Sequence, residues 1–279
     1  YIRSLLDTFQ QGIYVMAHFN NTLTIGMDGN QVKFIDEVPN GQACNLKCPE
    51  CGTSLIARNN GTKRMHHFAH VSGIECNRAL ETALHKLSKQ ILMKKRHIVL
   101  PQASKEVFVA SNGIILTGLP VIIPKLEIKA DKCREEIYEG GIKPDIILTH
   151  NNTDYRIEIA VTHFVDDAKT EKVKKKDIAM IEVNMHQFYV NPPLSHDEVE
   201  KELIQSTDNK RWIHCPELEA RYKIRLAELK KTHEKELSIL SEKERKSKEI
   251  KLKKEAESHQ FDLHCAFKKN EFIQKYSSQ

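Results

Sequence analysis

The chain has 279 residues, enough for about two domains, and 40% of them are hydrophobic, which is sufficient for a buried core. Lys and Arg outnumber Asp and Glu by 43 to 38, so the net charge of +5 is compatible with a polyanionic partner. No apolar run approaches the roughly 20 residues of a spanning helix, and the N-terminus lacks the order of a signal peptide. We therefore expect a cytoplasmic protein that has no membrane partner.

The composition changes along the chain and predicts five segments. The first contains Asp28-Gly29-Asn30, a hairpin signal between two alternating runs. The last is dense in Lys and Glu, which favours either a solvated helix or a short coiled coil that dimerises the chain. The predicted segments are a β-hairpin region at 1–40, a zinc-binding module at 41–76, an α/β domain at 77–190, a linker containing RWIH at 191–215, and a charged helical extension at 216–279.

Cysteines and histidines cluster in the second segment. The sequence CPECG at 48–52 has the two-residue spacing with which two thiolates bind one ion from a single turn, and HHFAH follows at 66–70. Four protein ligands of this type leave no open coordination position, so a structural zinc ion is expected. The predicted ligands are Cys48, Cys51, His67 and His70. His66 could replace His67. Cys44 or Cys76 could also replace one imidazole.

The third segment reads as a helix, several strands, a second helix and a further strand. Leucines and isoleucines at helical spacing predict a helix over 78–96. Strands are predicted in VIIPKLEIK, PDIILTH, YRIEIAVTH and IAMIEV, with a polar helix at 166–176 before the last of them. This order is typical of an α/β domain with a mixed sheet flanked by helices.

Two acidic residues lie in the predicted hairpin KPDIILTHNNTDYRIEIAVTH. If residue 150 pairs with residue 155 across an Asn-Asn-Thr-Asp turn, Asp145 and Glu158 become diagonal neighbours about 7 to 8 Å apart at the backbone. Two such carboxylates can reach one Mg²⁺ or Mn²⁺ ion, which activates water and neutralises charge on a phosphodiester. The alternative is that both are ordinary solvent-facing strand residues.

Several motifs in order carry a family resemblance. CPECG, HHFAH, ETALHKLSKQIL, KPDIIL, IEIAVTHFVDDAK and RWIH resemble the CoiA-like competence protein family, whose nuclease-like domain is similar to PD-(D/E)-x-K nucleases. The resemblance, which runs from about residue 41 to residue 214, implies a zinc-binding N-terminal module and a restriction-endonuclease-like fold that acts on DNA. It implies that Asp145 is the acid of the PD motif, Glu158 the following acid, and Glu81 the acid on the helix before the sheet.

The sequence departs from the family motif at Ala160, where the motif has a lysine that orients or activates the attacking water. Lys169 on the following helix is the first candidate to supply this charge, and Lys172, about one turn later, is the second. His163 could polarise the scissile phosphate or assist proton transfer. The alternative for each of them is a structural or solvated side chain.

Glu81, His85 and Lys89 repeat every four residues and therefore share one stripe of the predicted helix. We expect this stripe to border the active cleft, with Glu81 helping to hold the metal or its water and His85 near substrate phosphate. A surface ladder of i, i+4 neighbours is the alternative.

These expectations combine into a Mg-dependent deoxyribonuclease that acts on single- or double-stranded DNA in uptake, processing or phage defence. Its expected cofactors are structural Zn²⁺ and catalytic Mg²⁺ or Mn²⁺, and basic runs at 93–96 and 172–176 would contact the DNA backbone. The expected catalytic residues are Glu81, Asp145, Glu158, His163 and Lys169, with Asp145 and Glu158 as the magnesium ligands. One alternative is an inactive DNA-binding or accessory protein with a degenerate site. Another is a scaffold that dimerises or recruits a protein through the helix at 216–257.

Overall fold

The structure, a computed structural model, describes residues 22–73, 76–111, 114–135, 137–138, 141–193 and 195–276, without the side chains of 111, 114, 256 and 259–276. The chain forms two compact units. The first contains the described residues up to Ser104 together with those of Ile122–Glu219, and the second contains the described residues of Lys105–Val121 and those from Ala220 onward. Over the residues described, none of the helices combines the length and apolar character that a membrane span needs.

The strands and helices are numbered here in chain order. The strands are β1 (Ile25–Asp28), β2 (Gln31–Phe34), β3 (Leu55–Arg58), β4 (His67–His70), β5 (His97–Leu100), β6 (Ala103–Lys105), β7 (Phe108–Ser111), β8 (Ile114–Thr117), β9 (Val121–Ile123), β10 (Leu126–Lys129), β11 (Lys132–Glu135), β12 (Ile146–His150), β13 (Thr153–Ala160), β14 (Met180–Asn184) and β15 (Lys210–His214). The α-helices are α1 (Ala79–Lys95), α2 (Asp167–Lys175), α3 (Gln187–Val190), α4 (His196–Ile204) and α5 (Pro216–Tyr276).

A mixed five-stranded sheet, in the order β11-β12-β13-β14-β15, forms the centre of the first unit. β13 and β14 run parallel, whereas every other neighbouring pair in this sheet is antiparallel. Helix α2 lies in the connection between the parallel strands, because parallel strands need a crossover. Ile146, Ile157 and Ile181 of the central strands are fully buried. The predicted mixed α/β architecture is confirmed.

Helix α1 packs an apolar face into the same core. Leu80, Leu84, Leu87 and Ile91 recur at helical spacing and are all buried. The helix ends at Arg96, which has a left-handed φ of 51° and donates its backbone N–H to the Leu92 carbonyl. The helix predicted over 78–96 is therefore observed with one residue fewer at each end.

The β12–β13 hairpin differs from the predicted register by two residues. Asn151 and Asn152 have φ values of 48° and 61°, so they form a two-residue turn and His150 pairs with Thr153. Two-residue turns with positive φ match the twist of the flanking strands, and asparagine tolerates this conformation. Extending the observed ladder by one residue places Asp145 directly opposite Glu158, rather than diagonally.

The other strands of the described residues form two-stranded sheets. β1 pairs with β2 across the predicted Gly29-Asn30 turn, β3 pairs with β4, β5 with β10, and β6 with β9. The part of the predicted N-terminal hairpin region before residue 22 lies outside the described residues. In the second unit, β7 pairs with β8, and the Lys105 ammonium lies 4.1 Å from the centroid of the Tyr222 ring.

Candidate functional site

Four potential metal ligands meet beside the β3–β4 hairpin. Their ligand atoms all lie within 4.8 Å of one another, and the residues are Cys48, Cys51, His70 and Cys76. The turn that carries the first two thiols is closed by backbone bonds from the Gly52 N–H to the Cys48 carbonyl (3.0 Å) and from the Cys48 N–H to the Thr53 carbonyl (2.8 Å). Gly52 has a φ of 71°, which glycine adopts without steric cost. The local turn therefore brings the predicted pair of thiols together.

The three thiols of this cluster titrate differently. Burial raises the pKa of Cys48. Hydrogen bonds from Thr53, whose hydroxyl lies 2.9 Å from the Cys51 sulfur, lower the pKa of Cys51 to about 6. The hydrogen bond with Cys51, together with burial, raises the pKa of Cys76 to about 12. This divergence is expected when adjacent thiols cannot all become anions without a cation between them.

The donor set fits a structural Zn²⁺ ion. Three thiols and one imidazole are the soft and borderline ligands that tetrahedral zinc prefers. The Nε2 atom of His70 is buried and has no hydrogen-bond partner among the residues that the structure describes. A bound cation would satisfy that nitrogen, and the four donors would leave no open position for chemistry.

The fourth donor differs from the preferred sequence prediction. His67 and His70 are three residues apart on β4, and such residues point to opposite faces of a strand. The structure places His67 outside the cluster, with its Nδ1 atom 3.0 Å from the Met65 carbonyl oxygen, and brings in Cys76 instead. The other candidates lie elsewhere, since His66 contacts Asp36 and Cys44 donates to the Leu55 carbonyl.

The turn at Cys48 is docked on helix α1. Lys86 donates to the Pro49 carbonyl oxygen at 2.7 Å, and the Thr82 hydroxyl donates to the Glu50 carboxylate. Because α1 also carries Glu81, the metal cluster supports an element of the second candidate site.

The second candidate site is a row of charged residues across one face of the five-stranded sheet. Glu158 on β13 pairs with Glu182 on β14, and Glu182 pairs with Arg211 on β15. Residues directly opposite each other on neighbouring strands project from the same face. With Asp145 at the start of β12, the row crosses four adjacent strands.

Asp145 and Glu158 offer oxygen atoms that fit Mg²⁺ or Mn²⁺. Asp145 Oδ2 accepts the Ile159 N–H at 2.8 Å and lies 3.8 Å from His85 Nδ1. Glu158 Oε1 accepts a hydrogen bond from Lys169 Nζ at 2.6 Å, but its Oε2 is buried without a partner in the described part of the chain. Such an orphaned oxygen beside a second carboxylate suits a hard cation.

Burial dominates the titration of this site. It raises the pKa of Glu158, and the ion pair with Lys169 offsets that effect only in part. Burial also lowers the pKa of His85, although the carboxylates of Asp145 and Glu81 oppose the change. Glu158 therefore keeps its proton more readily than in water, and His85 loses its proton more readily.

Glu81 lies at the other end of the same cluster. Its Oε1 accepts a hydrogen bond from the Thr162 hydroxyl at 2.5 Å and lies 3.2 Å from His163 Nδ1. Burial favours a higher pKa for Glu81, but the hydrogen bonds from Thr162 and His163 outweigh it and lower the pKa. The structure thus brings Glu81 and His163 together, as it does Asp145, Glu158 and Lys169.

The remaining residues of the sequence prediction lie around this cluster. Lys172 is exposed and belongs to the outer surface of α2, whereas Ala160 is completely buried. Lys89, the last member of the α1 stripe, pairs with Glu135 at 3.2 Å.

Sequence reasoning missed Glu182 and Arg211. Glu182 is 2% exposed, and its Oε1 accepts from Arg211 Nε at 2.6 Å while its Oε2 accepts from the Val165 N–H at 2.5 Å. Arg211 also donates to the Val165 carbonyl oxygen at 3.4 Å. One signal was present, because an acid inside the apolar run IAMIEV is costly unless it is paired.

The chain was compared with known proteins. Residues 30–79 match the family model described as Competence protein CoiA, N-terminal domain. The predicted resemblance to the CoiA-like family is confirmed for this segment. The matched CoiA segment contains all four residues of the metal cluster and ends at the first residue of α1. The charged row across the sheet lies beyond it. No curated protein and no solved structure matches the chain.

Proposed function

We propose that residues 77–190 form a restriction-endonuclease-like domain that hydrolyses DNA phosphodiester bonds with a divalent metal, in DNA uptake, processing or phage defence. One observation carries the proposal: Asp145, just before β12, accepts the Ile159 N–H next to Glu158, and Glu158 has a buried oxygen atom without a partner among the described residues. The zinc-binding N-terminal module would have a folding role only.

Each charged residue has a role that its contacts support. Asp145 and Glu158 would hold the metal, and a Mg²⁺ or Mn²⁺ ion bound there supplies water activation and charge neutralisation. Lys169 approaches Glu158 from α2 and would stabilise the charge that develops on the phosphate. It would replace the lysine of the PD-(D/E)-x-K motif, whose position is occupied here by Ala160. Glu81 on α1 would help to hold the metal or its bound water.

His163 would handle a proton at the edge of this site. Its side chain is 84% exposed, so substrate can reach it, while its Nδ1 atom is oriented by the Glu81 carboxylate. An oriented imidazole can donate a proton to the leaving oxygen of the cleaved strand. Exposed lysines on α2, at 172 and 174–176, would contact the DNA backbone, an interaction that weakens with salt.

One contact favours the alternative of an inactive DNA-binding protein. Lys169 Nζ lies 2.6 Å from Glu158 Oε1, so the ammonium can neutralise the carboxylate that would otherwise hold the metal. In that case the protein would bind DNA through its basic surface and act as an accessory factor.

Cleavage assays with single- and double-stranded DNA in Mg²⁺ or Mn²⁺ separate these functions. We expect Asp145→Asn and Glu158→Gln to reduce cleavage by about 1,000-fold or more while DNA binding persists, because a metal contributes several kcal/mol to such reactions. Glu171→Gln, an exposed acid on α2, is the matched control and should cut normally. Binding without cleavage by the unaltered protein in both metals would establish the accessory function instead.

A further inference from the structure

Three aromatic rings form a row beside the proposed nuclease site. The rings of His186 and Tyr189 are stacked at an angle of 25° with centroids 6.1 Å apart, and the Phe164 ring is tilted by 54° at 6.5 Å from His186. Phe164 is 48% exposed and His186 is also exposed, whereas Tyr189 is partly buried against the core. The row of rings is therefore partly buried at Tyr189 and exposed to solvent at His186 and Phe164.

Polar contacts fix the outer rings in place. His186 Nδ1 bonds to the Val161 carbonyl oxygen at 2.8 Å, which ties the ring to the segment that follows β13. Phe164 precedes Val165, whose N–H donates to the buried Glu182 carboxylate and whose carbonyl oxygen accepts from the exposed Arg211 side chain. A single exposed phenylalanine is common on protein surfaces. Here, however, the backbone next to Phe164 is held in place by hydrogen bonds to Glu182 and Arg211.

The row adjoins the residues that would handle the phosphate. Phe164 directly follows His163, whose ring nitrogen lies 3.2 Å from Glu81. A nucleotide whose phosphate reached His163 would place its own base, or that of its neighbour, at the Phe164 ring. Exposed aromatic rings bind bases by stacking only when the bases are unpaired, since a duplex keeps its base faces covered.

We propose that Phe164 and His186 form a stacking platform for an unpaired base, and that the substrate is single-stranded DNA. This inference rests on the proposed function and specifies its substrate class. It assigns Phe164 to substrate binding, and Glu182 and Arg211 to positioning the segment that carries it.

Binding to three DNAs in buffer without Mg²⁺ or Mn²⁺ tests the platform. The probes are a fluorescent oligothymidylate of about 15 nucleotides, an abasic strand of equal length, and a duplex. Phe164→Ala should weaken binding to oligothymidylate about 10-fold and leave binding to the abasic strand unchanged. Phe164→Trp should restore tight binding. Phe108→Ala, which alters an exposed phenylalanine on β7, is the matched control and should bind like the parent.

The outcomes separate this inference from the nuclease proposal. Equal affinity of the parent for oligothymidylate and the abasic strand would overturn the platform, as would an equal loss on both strands in Phe164→Ala. Cleavage of duplex DNA with no effect of Phe164→Ala would also overturn it while leaving the nuclease intact. Base-dependent binding without cleavage in either metal would leave the platform standing and overturn the nuclease.

Discussion

The cysteine cluster is assembled from one short stretch of the chain, whereas the charged row across the sheet is assembled from residues on separate strands. The cluster takes two ligands from one tight turn and two from the neighbouring hairpin region, over the short stretch from Cys48 to Cys76. The row takes Asp145, Glu158 and Glu182 from three strands, and its register depends on a turn six residues away from the nearest of these acids.

This difference shows what local sequence can specify. A two-residue spacing between thiols determines their geometry within one turn, because the intervening backbone has few conformations. A pair of acids on two strands depends on the ladder, and a shift of two residues moves every partner. The following predictions test both sites, from the largest expected effect to the smallest.

The identity of the fourth zinc ligand has the largest expected effect. Purified protein should contain one zinc ion per chain, and Cys76→Ser should lower zinc affinity roughly 100-fold, because it removes one of four ligands that share the binding free energy. Zinc can be measured by competition with a colorimetric chelator. His67→Gln is the matched control and should keep its zinc, and loss of zinc in His67→Gln alone would restore the histidine as the ligand.

The choice between Lys169 and Lys172 as the lysine of the proposed nuclease site has the next largest expected effect, a loss of DNA cleavage. Lys169→Met should reduce DNA cleavage by about 30-fold, because Lys169 approaches Glu158 at 2.6 Å and a hydrogen bond from a charged donor contributes about 2 kcal/mol. Lys172→Met on the same helix should cut within about two-fold of the parent, since the lost charge is exposed. Initial rates at saturating metal provide the measurement. Equal losses in the two variants would assign both lysines to DNA binding.

Removal of a hydrogen bond to Glu81 has the smallest expected effect, a change in the free energy of unfolding. Because the pKa of Glu81 is lowered below its ordinary value of 4.5, its ionised form stabilises the fold above that pH, and this contribution is lost as the pH falls through the lowered pKa. Thr162→Val removes one donor and should cost about 1 kcal/mol in the free energy of unfolding near neutral pH.

The difference between Thr162→Val and the parent should narrow as the pH falls, because Glu81 becomes protonated in both proteins. Denaturant titrations at several pH values provide the free energies. Thr117→Val, on the exposed side of β8, should show no such trend. A difference independent of pH would mean that the hydroxyl contributes only to packing.

Much of the architecture was readable from hydrophobic periodicity. Helices α1 and α2 begin and end within one residue of their predicted limits, because apolar spacing and the Asp166 N-cap are local signals. Strand β12 lies within its predicted run, whereas β13 begins two residues before its run and β14 ends one residue after its run. Local patterns were sufficient for these elements since each buries its own apolar face.

Hydrophobic periodicity could not predict the register of the β12–β13 hairpin or the contact between Glu182 and Arg211. The Asn151-Asn152 turn has only two residues, and nothing in the four-residue polar run distinguished it from a longer loop. Glu182 and Arg211 meet only after β14 has paired with β15, which is a tertiary event. The spacing of HHFAH alone does not show which imidazole binds, whereas strand alternation separates His67 from His70 and leaves Cys76 as the fourth member of the cluster.

Ala160 limits how this protein could be re-engineered. The residue is 0% exposed, and its carbonyl oxygen accepts the Met185 N–H at 2.7 Å. A long cationic side chain introduced here would displace packed neighbours and lose its hydration, at a penalty of several kcal/mol. Ala160→Lys would therefore destabilise the sheet, whereas Lys169 on α2 already places an ammonium 2.6 Å from Glu158 without disturbing the core.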